Sequence, residues 1–229
     1  MIIIVMISLA VNPFYDANFT PLPARSLSVF SNPAGLGIHT GAEAFGTYHL
    51  DEDIITAGAS AGNIGFGFRK VDTLKYYEAG VGYKFPGAFA VGYAYEFGDT
   101  SLHKLGIVCR PSTQLSLGSR VTLGSTKYIY GGIAITPYQD YVTLNFEMEY
   151  EGIQDTFTFY YGARVTPYKG ISAVFLADEE FDWHAGVEVS LGYAKISGMY
   201  SYEEEQFSFG ILISAQKYET FMEGSPTEY

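Results

Sequence analysis

The sequence predicts an all-β protein, a transmembrane antiparallel up-and-down β-barrel of about 14 strands with an N-terminal hatch or plug segment. Three observations lead to this prediction: period-2 alternation, turn signals at regular spacing, and strands of about ten residues, the length that crosses a membrane. The clearest alternation lies in residues 141–150 and 156–165, on either side of a short acidic loop. Two such segments indicate a hairpin, and we interpret the chain as repeats of it.

The composition fits an all-β protein with an aromatic surface. Of 229 residues, 17% are aromatic and 17% are charged, whereas charged residues make up about 25% of an ordinary soluble domain. The formal net charge of −12 argues against nucleic acid as a partner. The single cysteine, Cys109, allows no internal disulfide and is interpreted as a small hydrophobe.

The chain divides into four predicted regions. Residues 1–17 fit a signal peptide with Ala10 or Ala17 as the cleavage position; a buried N-terminal strand is the alternative. Residues 18–41 are the predicted hatch segment, because the stretch from residue 12 to residue 41 holds four of the nine prolines and does not alternate. Residues 42–214 form the predicted barrel, and residues 215–229 form a polar C-terminal tail.

The barrel strands are placed between two interleaved sets of turn signals. One set is rich in proline and glycine, as at Pro86-Gly87, and the other is acidic, as in residues 203–205. With the N-terminus inside, the proline-rich turns are periplasmic and the acidic ones external. The predicted strands are 44–50, 54–61, 64–70, 76–85, 88–97, 102–110, 114–123, 127–136, 141–150, 156–166, 171–177, 182–190, 193–202 and 206–214.

Each predicted strand has an aromatic face for lipid and a small, polar face for the lumen. A soluble sandwich, which would bury the aromatic face instead, is the alternative. Strands 54–61, 171–177 and 193–202 alternate poorly and are expected to face the N-terminal segment. Charges of both signs on the inner face predict an ion-pair network across the lumen, formed by Arg69, Glu78, Lys84, Glu96, Lys104, Arg110, Arg120, Glu147, Glu149, Arg164 and Glu188.

One short motif lies within the predicted hatch: Asn32, Pro33, Ala34, Gly35 and Leu36. This string resembles the Asn-Pro-Ala-Gly-Leu signature of outer-membrane barrels that include the FadL/TodX hydrocarbon transporters and the PorV/PorQ-like proteins. The resemblance covers the motif and the number of strands. It implies that the five residues belong to a hatch inside the barrel. The chain is much shorter than the transporters and has short outer loops.

Catalytic and metal-binding patterns are absent from the sequence. The four histidines lie in different segments without metal-ligand spacing. Asp182 and His184 share a strand face, and we interpret them as a polar pair facing the lumen. The sequence therefore predicts a protein that is not an enzyme and has no cofactor or metal site.

The predicted location is the bacterial outer membrane, with membrane lipid as the first partner. The leading hypothesis is a passive channel or carrier, FadL- or PorV-like, for a hydrophobic small molecule. The alternatives are a barrel that anchors or scaffolds secretion or periplasmic partners, and the barrel portion of a longer protein. Some signal-peptide-peptidase-like proteases carry a similar barrel. A soluble all-β structural protein is the remaining alternative.

Overall fold

The computed structural model describes residues 11–38, 41–50, 53–99, 101–138 and 141–218. Within these ranges 14 antiparallel strands follow one another around a closed barrel, and β1 pairs with β14 to complete the ring. The predicted all-β antiparallel barrel of 14 strands is confirmed. None of the helices in the described ranges is long and apolar enough to cross a membrane.

The strands are joined by short turns. Acidic residues such as Asp53, Asp72 and Asp155 adopt the left-handed conformation at the acidic end, which aspartate tolerates better than most residues. The strands are β1 (Ala42–His49), β2 (Ile54–Ala61), β3 (Ile64–Val71), β4 (Leu74–Lys84), β5 (Phe89–Gly98), β6 (Leu102–Ser112), β7 (Leu115–Leu123), β8 (Lys127–Tyr138), β9 (Val142–Glu151), β10 (Thr156–Tyr168), β11 (Ile171–Asp178), β12 (Trp183–Leu191), β13 (Ala194–Ser201) and β14 (Gln206–Ser214).

Three strands end two residues later than the sequence predicts. β6, β8 and β10 run past their predicted ends, through Pro111, Pro137 and Pro167. The pairing register shifts at each proline, because proline has no N–H for the ladder and is accommodated by a bulge. The prediction that these prolines belong to the turns is therefore wrong.

The wall is uneven in height. The strands β4–β10 have 9 to 13 residues. The seven strands that run from β11 through β14 to β3 have only 8 or 9. One half of the barrel is thus taller than the other.

The outer face of the wall is apolar and aromatic. Phe66 and Tyr83 expose 62% and 58% of their surface, and aromatic rings pack on neighbouring strands, as in Tyr77 against Phe97. Along β5 the exposed aromatic side chains alternate with buried Ala90, Ala94 and Glu96. A soluble sandwich would bury the aromatic face, so that alternative is wrong. This surface requires contact with lipid acyl chains.

Residues 12–38 lie inside the barrel and are called the inner segment below. They contain two short 3₁₀ helices, Tyr15–Ala17 and Arg25–Val29, and one turn of α-helix, Gly35–Ile38. The predicted signal peptide and polar tail fall largely outside the described residues, because residues 1–10 and 219–229 are not among them. Residues 11–17 pack against the barrel wall.

We predict that Trp183, the single tryptophan of the chain, reports the depth of insertion. It is the first residue of β12, at the acidic end, and its ring stacks on Tyr202 with the centroids 4.9 Å apart. Its fluorescence should be quenched more strongly by lipids brominated near the headgroup than by lipids brominated near the end of the acyl chain. Quenching by aqueous acrylamide alone would contradict a lipid-facing outer surface.

Candidate functional site

The candidate functional site is the lumen, where the inner segment meets the wall. The large side chains of Phe14, Tyr15, Phe19, Leu27 and Leu36 expose 2% of their surface or less. The segment contacts strands all around the ring, so it occupies the centre of the barrel and does not add to one wall. It is mostly irregular backbone, and its polar groups therefore need partners from the wall.

Three buried glutamates supply acceptors from three sides. Glu188 on β12 accepts the Tyr15 N–H at 2.7 Å. Glu147 on β9 accepts the N–H and the hydroxyl of Thr20, both at 2.6 Å. Glu43 on β1 accepts the N–H and the hydroxyl of Ser26. A hydrogen bond to a charged group contributes about 1.5–3 kcal/mol, so these three carboxylates fix the position of the segment.

Two arginines of the wall hold the segment through its carbonyls and its one acid. Arg120 on β7 donates to the Phe30 and Ser31 carbonyl oxygens, and its guanidinium lies 3.8 Å from the centre of the Tyr130 ring. Arg164 on β10 pairs with Asp16 at 2.8 Å. The cations thus complement the parts of the segment that the glutamates do not bind.

Apolar residues on the lumen face explain why two of the strands, β11 and β13, alternate poorly. Val174 and Leu176 on β11 and Met199 on β13 point into the lumen and pack around Tyr15 and Phe19. An inner face that contacts aromatic side chains of the segment is apolar, and the period-2 contrast with the lipid face disappears. The expectation that these strands face the N-terminal segment is confirmed for β11 and β13.

The residues of the Asn-Pro-Ala-Gly-Leu string lie against β4–β7. Asn32 is fully buried, and its side-chain amide donates to the carbonyl oxygen of Thr20 at 2.9 Å and to that of Ile107 on β6 at 3.2 Å. Its side-chain oxygen accepts the Ala34 N–H at 3.2 Å. Asn32 therefore ties two parts of the inner segment to the wall at one point.

A row of glycines makes room for this string. Gly82, Gly92 and Gly106 are direct cross-strand partners on β4, β5 and β6. A Cβ atom at Gly82 would lie 2.9 Å from the Pro33 oxygen, and one at Gly106 would lie 2.9 Å from the Pro33 Cδ. We call these three residues the glycine trough. Sequence reasoning missed it, since glycines within alternating strands show their alignment only when the strand register is known.

The predicted lumen charges fall into separate groups. Lys104 contacts Glu78 at 2.9 Å and Glu96 at 3.5 Å, and Arg69 contacts Glu96 at 3.4 Å. These four residues lie on the neighbouring strands β3–β6, so their network runs along one wall and not across the lumen. Their carboxylates are nearly fully buried.

The remaining predicted charges have different surroundings. Glu149 accepts the hydroxyl of Tyr160 at 3.0 Å. Lys84 is exposed at the proline-turn end. The Arg110 guanidinium has no hydrogen bond or ion pair with the residues that the structure describes. His184 Nε2 lies 3.6 Å from Asp182 Oδ2. Among the described residues, no three His, Cys, Asp or Glu side chains are grouped to hold a metal ion.

A polar cavity of about 350 Å³ lies between the inner segment and the proline-turn end of the barrel. Tyr218 closes one side of it; burial, together with the nearby Glu43 carboxylate, raises the pKa of this tyrosine, whose hydroxyl donates to Glu43 at 2.8 Å. The other lining residues are Leu22, Thr113, Thr136, Thr143, Arg164, Thr166, Gly170, Ser172, Glu188, Ser190 and Lys195. Hydroxyl and charged groups therefore dominate this space.

Comparison with known proteins identifies the fold. No protein-family model matches the chain, and no curated protein sequence matches it either. The outer-membrane protein Omp33 of Acinetobacter baumannii superposes with a TM-score of 0.55 at 8% identity, over 77% of this chain and 96% of that protein. A mutant of the Rh. blastica porin gives a TM-score of 0.49 at 10% identity, over 76% and 98%.

The likeness to Omp33 concerns the fold. The evidence for the membrane location is the surface of this chain. A closed ring of 14 antiparallel strands with a lipid-facing aromatic exterior is the architecture of outer-membrane barrels. The chain is therefore an outer-membrane β-barrel protein.

We predict that Gly92→Val displaces the inner segment, because any side chain at this position overlaps the Pro33 backbone. Overpacking of this kind destabilises by about 1–3 kcal/mol. The variant should lose its compact electrophoretic mobility at a lower temperature and should expose residues 12–38 to protease.

The matched control is Gly131→Val, since a Cβ at Gly131 meets no atom within 4 Å. This variant should keep the wild-type unfolding temperature and protease pattern. Identical behaviour of the two variants would show that the string does not occupy the glycine trough.

Proposed function

We propose that this protein is a non-enzymatic channel of the outer membrane for small polar solutes, and that the inner segment is its hatch. The observation that carries the proposal is the polar cavity of about 350 Å³ on the proline-turn side of the segment. It is lined by hydroxyl groups from several strands and by Arg164, Glu188 and Lys195. A solute that enters from this end meets polar partners and then the segment.

The way the segment is attached supports a hatch. Its contacts to the wall include hydrogen bonds from its backbone to Glu188, Glu147 and Glu43. None of its residues belongs to a strand of the barrel. Water that enters when the segment leaves can replace these hydrogen bonds, at a net cost of about 1.5–3 kcal/mol each. The wall is complete without the segment, so the segment can move while the ring stays closed.

The alternative to a polar solute is a hydrophobic small molecule, as in the FadL- and PorV-like proteins. The Asn-Pro-Ala-Gly-Leu string and its position in the lumen support it. The cavity lining does not, because an apolar solute would leave the charges of Glu188 and Lys195 without water. Every described strand is also paired with a neighbour on both sides, which leaves an apolar solute no lateral exit.

The segment also fills much of the lumen, as expected of a barrel that anchors or scaffolds other proteins. A single measurement separates this role from transport. An anchor whose lumen is also filled by side chains of the wall stays closed when the segment is deleted, whereas a hatch leaves a pore when it is removed.

We therefore predict that deletion of residues 12–38 opens a pore. The intact protein in planar bilayers should be closed or nearly closed, and the deletion variant should show stable single-channel currents. Liposomes that carry the variant should swell in small sugars and amino acids. Uptake of a fatty acid without sugar uptake would instead support the hydrophobic alternative.

Folding of the deletion variant is checked by its heat-modifiable electrophoretic mobility. Arg120→Gln is a milder change, since it removes the two hydrogen bonds to the Phe30 and Ser31 carbonyls and keeps the whole segment. Barrels of both variants that fold and remain closed would contradict the channel and favour the anchor.

A further inference from the structure

Two cavities of the lumen, among the residues that the structure describes, lie along the same wall. The large cavity at the proline-turn end reaches Glu188 and Ser190 on β12 and Lys195 on β13. A small one of about 10 Å³ at the acidic end reaches His184 on β12 and Ser201 on β13. Since both cavities touch the lumen-facing sides of β12 and β13, they mark two ends of one line through the barrel.

A short stretch of the inner segment separates the two cavities. Ser197 on β13 donates its hydroxyl to the Pro13 carbonyl oxygen, and Glu188 on β12 accepts the Tyr15 N–H at 2.7 Å. Val11, just before this stretch, lines the small cavity. Residues 13–15, called the gate below, therefore lie where the line between the cavities is interrupted.

Three wall side chains hold the gate. Asn145 on β9 donates to the Tyr15 hydroxyl at 2.7 Å, whereas Glu188 and Ser197 bind the gate backbone and each have a second partner on the wall. The other oxygen of Glu188 lies 3.5 Å from the Lys195 ammonium, and the Ser197 hydroxyl lies 3.4 Å from the Val187 carbonyl oxygen. If residues 13–15 move away, neither group is left buried without a partner. This matters because an unpaired buried charge is strongly destabilising.

The contacts of the segment at Thr20 and at Pro33 lack this property. Glu147 binds only Thr20 and has no other hydrogen bond or ion pair within the described residues. The string at Pro33 lies backbone to backbone against the glycine trough. Release of Thr20 would leave the Glu147 carboxylate buried without a hydrogen bond, so this half is the fixed half.

We infer, on the basis of the proposed channel function, that small polar solutes pass along the β12–β13 wall and that residues 13–15 are the gate of this path. Glu188 and Ser197 hold the gate closed by binding its backbone. The large polar cavity is the vestibule in which a solute first binds. The half of the segment in the glycine trough stays in place while the gate moves.

Two serines of identical chemistry test this inference. Ser197 donates to the carbonyl oxygen of Pro13 in the gate, and Ser116 donates to that of Pro21 in the fixed half. In single-channel recordings of the full-length protein, Ser197→Ala should raise the open-to-closed ratio by roughly fivefold, the effect of one hydrogen bond. Ser116→Ala should leave it at the wild-type value.

A thiol block then locates the path. Cys109→Ser removes the native thiol, and Ser190→Cys places a new one in the vestibule of the Ser197→Ala protein. A bulky thiol reagent should abolish the current. The control is Ala94→Cys on β5, seven strands away on the opposite wall, where the reagent should have no effect.

The outcomes separate this inference from the function on which it rests. If deletion of residues 12–38 opens a pore but Ser197→Ala changes nothing, or changes no more than Ser116→Ala, the gate is overturned and the channel stands. Block at Ala94→Cys without block at Ser190→Cys overturns the path. If the folded deletion variant stays closed, the channel itself is overturned.

Discussion

The structure depends on how a buried, irregular segment satisfies its backbone polar groups. Residues 12–38 have too little helix to pair their own N–H and carbonyl groups, and no strand order to join the sheet. Inside a barrel, the partners that the segment does not supply itself must come from the lumen face. The carboxylates of Glu43, Glu147 and Glu188 and the guanidinium of Arg120 provide them. These costly buried charges are present because the occupant of the lumen needs them.

The same requirement divides the wall into regions of different character. Where the segment presents aromatic rings, the wall is apolar, as at Val174 and Met199. Where it presents backbone at close range, the wall is glycine, as at Gly92. The inner face of the wall is thus complementary to the segment in shape and polarity. The lining of this 14-strand ring fits the segment that occupies it, although barrels in general enclose lumens of many kinds.

Period-2 alternation was sufficient to predict the ring of strands, but not the contacts inside the lumen. The residues of β5 alternate so strictly that the predicted strand 88–97 matches Phe89–Gly98 closely. Pairings such as Lys104 with Glu78 could not be predicted, since they depend on the register of strands that are distant in sequence. The glycine trough stayed hidden for the same reason. Pro111 was misplaced because a bulge and a turn share the same sequence signal.

The unequal height of the wall has a consequence for the membrane. A strand of eight residues such as β13, tilted by about 40°, rises about 20 Å, whereas the twelve residues of β8 rise about 30 Å. The apolar core of a bilayer cannot match both sides at once. Either the barrel axis leans toward its short side or the lipid there becomes thinner. In both cases the lipids around this protein are not equivalent, and those beside the eight-residue strands, β13 among them, are the most strongly deformed.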